Sequence, residues 1–398
     1  MRRRTFMRAG LAGGIALLNA RLWAAPADAK LLVVMLRGAY DGASLLVPYS
    51  SEFYYRSRPG IAVPRPGSGP DAAVALDSDY ALNAAVKESL HALYTAKQAV
   101  FVPFSGSDDV SRSHFQAQDL MELGQGAGGA LDYSSGYLNR LVEALSGKDS
   151  PRGVSFTSSL TPVFKGAIPV PNISLRGNPK NALPPRQSEM IASLYQGTEL
   201  ASLASSGMET RKMVSEQLMN EMAESSRGAD AARAFEARAR AIAKLMRDRS
   251  AYSVGFVDVG GWDTHVNQGS AQGALAANLA GLSRGLSAFA QEIGAAWKST
   301  VVVVLSEFGR TFRENGNRGT DHGHGNTLWV LGGGIAGGRI AGRGVAVNEA
   351  NLYQNRDTPV LNDYRSVLAH LFGGMYGLGE AALSRVLPGA KAENYGIV

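Results

Sequence analysis

Five apolar runs frame the chain. Residues 30–36 (K-L-L-V-V-M-L), 99–104, 252–259, 301–305 (V-V-V-V-L) and 328–331 are short, largely β-branched or leucine-rich, and bounded by polar or glycine-containing segments. Unbroken runs of this kind predict strands covered on both faces, because a half-exposed strand would alternate apolar with polar. Shorter strands are expected near 154–156 and 168–173. Helical spacing is read over 83–97, with Leu90, Leu93 and Tyr94 inward, and over 137–145, 270–297 and 363–372. Residues 187–249 mix alanine with charges at helical spacing and predict a solvated helical segment packed by one face. Residues 49–70, rich in Pro, Ser and Arg, and residues 126–139 read as loop, and 151–185 as mostly irregular. Strand–helix alternation over this length predicts an α/β fold, a large, mostly parallel central sheet sandwiched between helices. The chain reads as a single domain over 28–398 with the helical segment at about 187–250. No internal repeat and no membrane-spanning pattern appears.

Two matches to catalytic motifs fail on context. Gly281-Leu282-Ser283-Arg284-Gly285 fits G-x-S-x-G but lies inside the helix expected over 270–297, not on a strand-to-helix turn. Gly332-Gly333-Gly334-Ile335-Ala336-Gly337 fits G-x-G-x-x-G after a strand, but no helix pattern follows, so it reads as a tight turn.

Charge and composition narrow the chemistry. Of the formal net charge of +6, all but one unit comes from Arg2, Arg3, Arg4, Arg8 and Arg21, so the remainder gives no reason to expect nucleic acid. Cysteine is absent, which excludes disulfides, a thiolate nucleophile and cysteine-ligated zinc. Any metal must be held by His, Asp, Glu, hydroxyl or backbone oxygen. Arg3-Arg4-Thr5-Phe6-Met7-Arg8, a mild apolar run over 9–18 and Ala25-Pro26-Ala27 resemble a twin-arginine export signal ending near residue 27. The run is too short to span a bilayer at ~20 residues. The expectation is a periplasmic or otherwise exported protein delivered by the twin-arginine machinery.

Candidate chemistry gathers after the strands, where open α/β sheets bind ligands. Asp41 follows the first strand beside Gly42. Ser111-Arg112-Ser113-His114 follows the second and opens a helix, with Ser111 or Ser113 as the expected cap. Gly260-Gly261-Trp262-Asp263-Thr264-His265 follows the 252–259 strand. Ser306, Glu307, Gly309 and Arg310 follow the 301–305 strand, and Asp321, His322 and His324 precede the next. His91 and His370 lie in amphipathic helices and read as packing or surface residues. Nitrogen and oxygen donors of this kind suit zinc, manganese, calcium or magnesium.

V-V-M-L-R-G-A-Y-D-G, S-R-S-H-F-Q-A-Q, G-G-W-D-T-H, L-S-E-F-G-R-T and T-D-H-G-H-G-N, in this order and at these separations, resemble the domain of unknown function 1501 family. The resemblance runs from about residue 31 to 372. It implies kinship with the alkaline phosphatase and sulfatase superfamily, and hence its fold, with a metal-dependent site at the carboxyl ends of the strands. It implies metal ligation by Asp41, Asp263, His265 and His322 or His324. It also implies a nucleophile at Ser113 or Ser111. Glu307-Phe308 stands where the superfamily has an Asp-His pair, and His114 has no obvious counterpart there.

The expected ligand set is therefore Asp41, Asp263, His265, Glu307, His322 and His324, converging in one cleft on a divalent metal such as zinc, manganese or calcium. His114 is expected to take the serine proton or hold metal, and Arg310 to bind an anionic oxygen bidentately. The function this implies is hydrolysis of phosphate or sulfate esters, of small molecules or polysaccharides, through a serine nucleophile. A non-catalytic periplasmic binding protein that reuses the fold is the alternative. A metal-free serine hydrolase is disfavoured by the helical setting of 281–285.

Overall fold

A computed structural model describes residues 28–145, 153–158, 160–175, 193–194, 197–198 and 231–398. The expected export signal and most of the 187–249 segment lie outside the described residues.

The main sheet is built, in chain order, from β1 (Lys30–Leu36), β2 (Ala99–Gly106), β3 (Gly153–Ser155), β4 (Val254–Val259), β5 (Thr300–Ser306), β6 (Asn326–Gly332), β7 (Arg339–Ile340) and β8 (Asn362–Asp363). The spatial order is β7-β2-β6-β5-β1-β4-β3, with β8 also paired to β2. Every pairing is parallel except the two made by β6, which runs antiparallel to β2 and β5. The reversal of β6 matters for the site. It brings the residues that precede β6 to the same edge as the residues that follow β1, β2, β4 and β5.

The long apolar runs are needed because both faces are covered. On β1, Leu32, Val34 and Leu36 join the layer containing α3 (Ala231–Asp248) and α4 (Ala274–Ile293). Leu31, Val33 and Met35 face α1 (His114–Leu123), α2 (Tyr137–Ala144), α5 (Tyr364–Tyr376) and α6 (Glu380–Val386). Each such side chain contributes about 1.5–3 kcal/mol relative to exposure. The register of β2 against β6 shifts between Val102 and Ser105. Pro103 cannot donate to a ladder and Phe104 has φ 54°, so a bulge falls where the sequence puts these residues.

Several expectations sharpen. The helical spacing over 83–97 resolves into a 3-10 turn (Ala84–Val86), a π turn (Lys87–His91) and an α turn (Ala92–Thr95), which together bury Val86, Leu90 and Tyr94. The strand expected over 168–173 reduces to one bridge, Ser155 to Asn172. The loop expected over 49–70 contains a helix, Glu52–Ser57, capped by the Ser51 hydroxyl. A small antiparallel sheet of Leu46–Val47, Ala81–Leu82 and Val74–Ala75 stands beside it. The G-x-S-x-G stretch lies within α4 as expected. Ser283 is fully buried 2.7 Å from the Ser89 hydroxyl, and a Cβ on Gly285 would meet the Phe235 ring at 2.4 Å. These residues pack α3 and Ser89 against α4. Among the described residues no helix is long and apolar enough to cross a membrane.

Candidate metal centre

The segments that follow β1, β2, β4 and β5 and the one that precedes β6 deliver the parts of the site. The loops 307–311 and 321–325 lie against each other through Gly309 N–H to His324 O (2.7 Å), Gly323 N–H to Gly309 O (2.8 Å) and Thr311 N–H to Asp321 O (2.8 Å). A Cβ on Gly309 would sit 1.9 Å from the Gly325 carbonyl oxygen, so only glycine permits this approach. It places His322 beside Arg310.

Three imidazoles meet there. His114 Nε2 lies 3.0 Å from His322 Nε2, and His265 Nε2 lies 3.1 Å from the same atom. Asp263 joins them, with Oδ1 2.9 Å from His265 Nε2 and 3.3 Å from His322 Nε2, and Oδ2 3.5 Å from His114 Nε2. His114, Asp263 and His322 offer one ligand atom each, all within 4.8 Å of one another, and His265 flanks two of them.

Proton bookkeeping shows what these nitrogens present. His322 Nδ1 lies 3.0 Å from the Arg112 carbonyl oxygen, which only accepts, so Nδ1 carries the hydrogen. His114 Nδ1 lies 2.8 Å from Glu307 Oε1, and His265 Nδ1 lies 3.1 Å from Asp321 Oδ1. Carboxylates also accept, so these tautomers are assigned from their partners in the same way. In each neutral ring Nε2 is then a bare lone pair. Lone pairs 3.0–3.1 Å apart repel unless a proton or a cation lies between them. Ligands bonded at 2.0–2.1 Å around a tetrahedral metal are about 3.3 Å apart, close to the separations found here. Each ring is also held from behind by an acceptor, the usual support of a metal-ligating histidine. This donor set fits a divalent metal.

The surrounding groups shift these side chains in different directions. Burial raises the Asp263 carboxyl, but the Arg310 hydrogen bond and charge outweigh it, and the group is held below its ordinary range. The Glu307 hydrogen bond raises His114, whereas burial lowers His322 and favours its neutral form. Glu307 is fully buried. Burial alone would raise it, but the hydrogen bonds from His114 and Gln118 prevail and lower it.

Other expected residues take different places. Asp41 does not join the cluster. It is buried and paired bidentately with Arg58, with further hydrogen bonds from Ser44 Oγ and Gln268 Nε2, both at 2.7 Å. Its oxygens are therefore committed to a guanidinium. Glu307 stands behind His114 rather than among the clustered ligand atoms. His324 is buried with its ring 5.0 Å from that of Tyr353 and is not among the clustered ligands. Arg310 is buried, and its guanidinium bonds Asp263, the Thr320 carbonyl and the Thr320 hydroxyl, so its donors are directed at protein groups.

Ser113 is the N-cap residue of α1, but its hydroxyl makes no capping bond. Ser111 Oγ donates to Asp109 Oδ2 at 2.7 Å. Sequence reading passed over Arg58, Gln268, Gln118 and Arg37. Gln118 alone carries a local signal, since it lies four residues after His114 on the same helix face. A pocket open to solvent, lined by Leu46, Phe104, Phe312, Val347 and Leu352 among others, reaches Asp41 and Arg310 but none of the three clustered histidines.

A model of the family described as "Protein of unknown function (DUF1501)" matches residues 28–387. No curated protein matches the chain. Among solved structures, Ps i-CgsB in complex with k-i-k-neocarrahexaose overlaps 91% of this chain and 74% of its own, at 8% identity and TM-score 0.44. The lipoteichoic acid synthase LtaP from Listeria monocytogenes overlaps 92% and 75%, at 8% identity and TM-score 0.39.

Proposed function

This chain belongs to the DUF1501 family, and from that premise we propose that it is an exported hydrolase of phosphate or sulfate esters, dependent on one divalent metal. The observation that carries the reading is the convergence of bare Nε2 atoms from His114 and His322 with the Asp263 carboxylate, flanked by His265. A bound cation supplies Lewis acidity toward an ester oxygen. His114, Asp263 and His322 would hold it, with His265 as a further donor.

Ser113 is the nucleophile in this reading. It is flanked on both sides by the cluster, because the Arg112 carbonyl accepts from His322 and His114 is a candidate ligand. Its hydroxyl is uncommitted among the described residues, whereas that of Ser111 is bound to Asp109. The N–H groups of His114, Phe115 and Gln116 open α1 without intrahelical acceptors and would meet the oxygens of a tetrahedral anion. The substrates in this reading are esters of small molecules or of polysaccharides.

A second reading, a non-catalytic binding protein, is favoured by two observations. Asp41, which the family resemblance makes a ligand, is neutralised by Arg58, and the pocket that reaches Asp41 is mostly apolar and lacks the histidines. The test is a panel of aryl phosphates, phosphodiesters and sulfates assayed with added zinc, manganese and calcium, on wild type, Ser113→Ala, Ser111→Ala and His322→Ala. Hydrolysis lost in Ser113→Ala and His322→Ala but kept in Ser111→Ala supports the hydrolase. A wild type inactive across the panel supports the binding protein.

A further inference from the structure

We propose that Gln118 and Arg37 are positioning residues for His114, acting through Glu307; the inference rests on the reading of His114 as a metal ligand. His114, Gln118 and Glu122 recur every four residues along α1 and form one polar stripe on a helix that also buries Ala117, Leu120 and Met121. The stripe faces the ends of β1, β4 and β5. Arg37, just past β1, donates from Nη1 to Gln118 Oε1 (2.7 Å), from Nη2 to Glu122 Oε1 (2.7 Å) and from Nε to Asp258 Oδ2 (2.8 Å). Gln118 Nε2 then donates to Glu307 Oε1 at 2.9 Å.

The chemistry fixes the direction of this chain. A guanidinium only donates, so the Gln118 amide must turn its oxygen to Arg37 and its NH₂ to Glu307. Glu307 Oε1 then receives three donors: Gln118 Nε2, the Gly38 N–H (2.8 Å) and His114 Nδ1 (2.8 Å). Glu307 thus holds His114 in the tautomer that turns its Nε2 lone pair toward Asp263 and His322. Without the amide donor the buried carboxylate has less to hold it in place, and the ring behind the ligand atom is freer to turn. Partners of this kind, one step behind a metal ligand, commonly change metal affinity 10–100-fold when removed.

The experiment uses the full mature chain, stripped of metal. Zinc and manganese affinities are measured by competition with a chromophoric chelator for wild type, Gln118→Met and Gln118→Glu. Gln118→Met keeps the side chain's volume but loses both polar contacts. Gln118→Glu keeps an acceptor for Arg37 but replaces the donor to Glu307 with a second carboxylate oxygen that repels it. Imidazole ¹⁵N spectra of the metal-free chains report the His114 tautomer independently of metal and activity. The expected result is a 10–100-fold loss of affinity in both variants, with the His114 proton no longer confined to Nδ1. Affinity within twofold of wild type in both variants, with an unchanged tautomer, overturns the proposal. A wild type that takes up no metal overturns the metal reading instead, and the tautomer spectra still decide whether Gln118 positions His114. If Gln118→Met fails to fold, Gln118→Glu decides alone.

Discussion

Arg58 determines what Asp41 does. The two side chains are fully buried and face each other bidentately, and Arg58 also donates to the carbonyls of Phe312 and Thr311. Burial opposes the charge on Asp41, but the Arg58 charge and hydrogen bond outweigh burial and hold its pKa below the ordinary value. A carboxyl whose folded pKa is depressed stabilises the fold above its unfolded pKa, and that contribution is lost as pH falls through the folded value. Acid should therefore weaken the wild type below about pH 4, where unfolded aspartates take up protons. Arg58→Met leaves a buried, unpaired carboxylate and should cost about 3–5 kcal/mol at pH 7. In that variant the sign reverses. Protonating Asp41 removes the unpaired charge, so the deficit relative to wild type should shrink as pH falls toward 4. Urea unfolding of both chains between pH 4 and 7 measures this. An equal deficit at every pH would show that Asp41 and Arg58 do not act as a pair.

At the level of single elements, α1 supplies His114 to the cluster and places Ser113 at its N-cap. Its N-cap residue, Ser113, makes no capping bond, although serine at that position usually does. Removing a working serine cap costs ~1 kcal/mol. Ser113→Ala should instead stay within about 0.5 kcal/mol of wild type while abolishing ester hydrolysis. Thermal unfolding measured beside the assay separates the two, and a loss of a full cap's worth of stability with activity intact would make Ser113 a cap. The strands show what was legible in the sequence. Runs such as 30–36 and 301–305 have few other uses, and the residues placed after them do lie along one edge. Partnerships between distant segments were not legible. Nothing in the Pro-, Ser- and Arg-rich stretch around Arg58 marks it as the partner of Asp41, and Arg37 reaches Glu122 and Asp258 only once three segments are packed. The same limit hid the position of Glu307. Its residue type suited a ligand, but its place behind His114 depends on where α1 starts.

For the whole molecule, two expectations remain open to test. If the N-terminal arginines address the chain for export, changing Arg3 and Arg4 together to Lys should strand the precursor in the cytoplasm. Fractionation of cells expressing both forms would show it, and normal delivery of the double variant would remove the twin-arginine assignment. The architecture also makes a statement about metal. The reversed strand β6 brings His322 to the edge where β2, β4 and β5 deliver His114, Asp263 and Glu307, while Asp41 is withdrawn into its pair with Arg58. One centre results. The most direct test is elemental analysis of the purified mature chain beside the His322→Ala and Asp263→Ala variants. Wild type should hold a single equivalent of divalent metal, lost in both variants with the fold retained. A wild type without stoichiometric metal, or metal retained after both substitutions are combined, would contradict it.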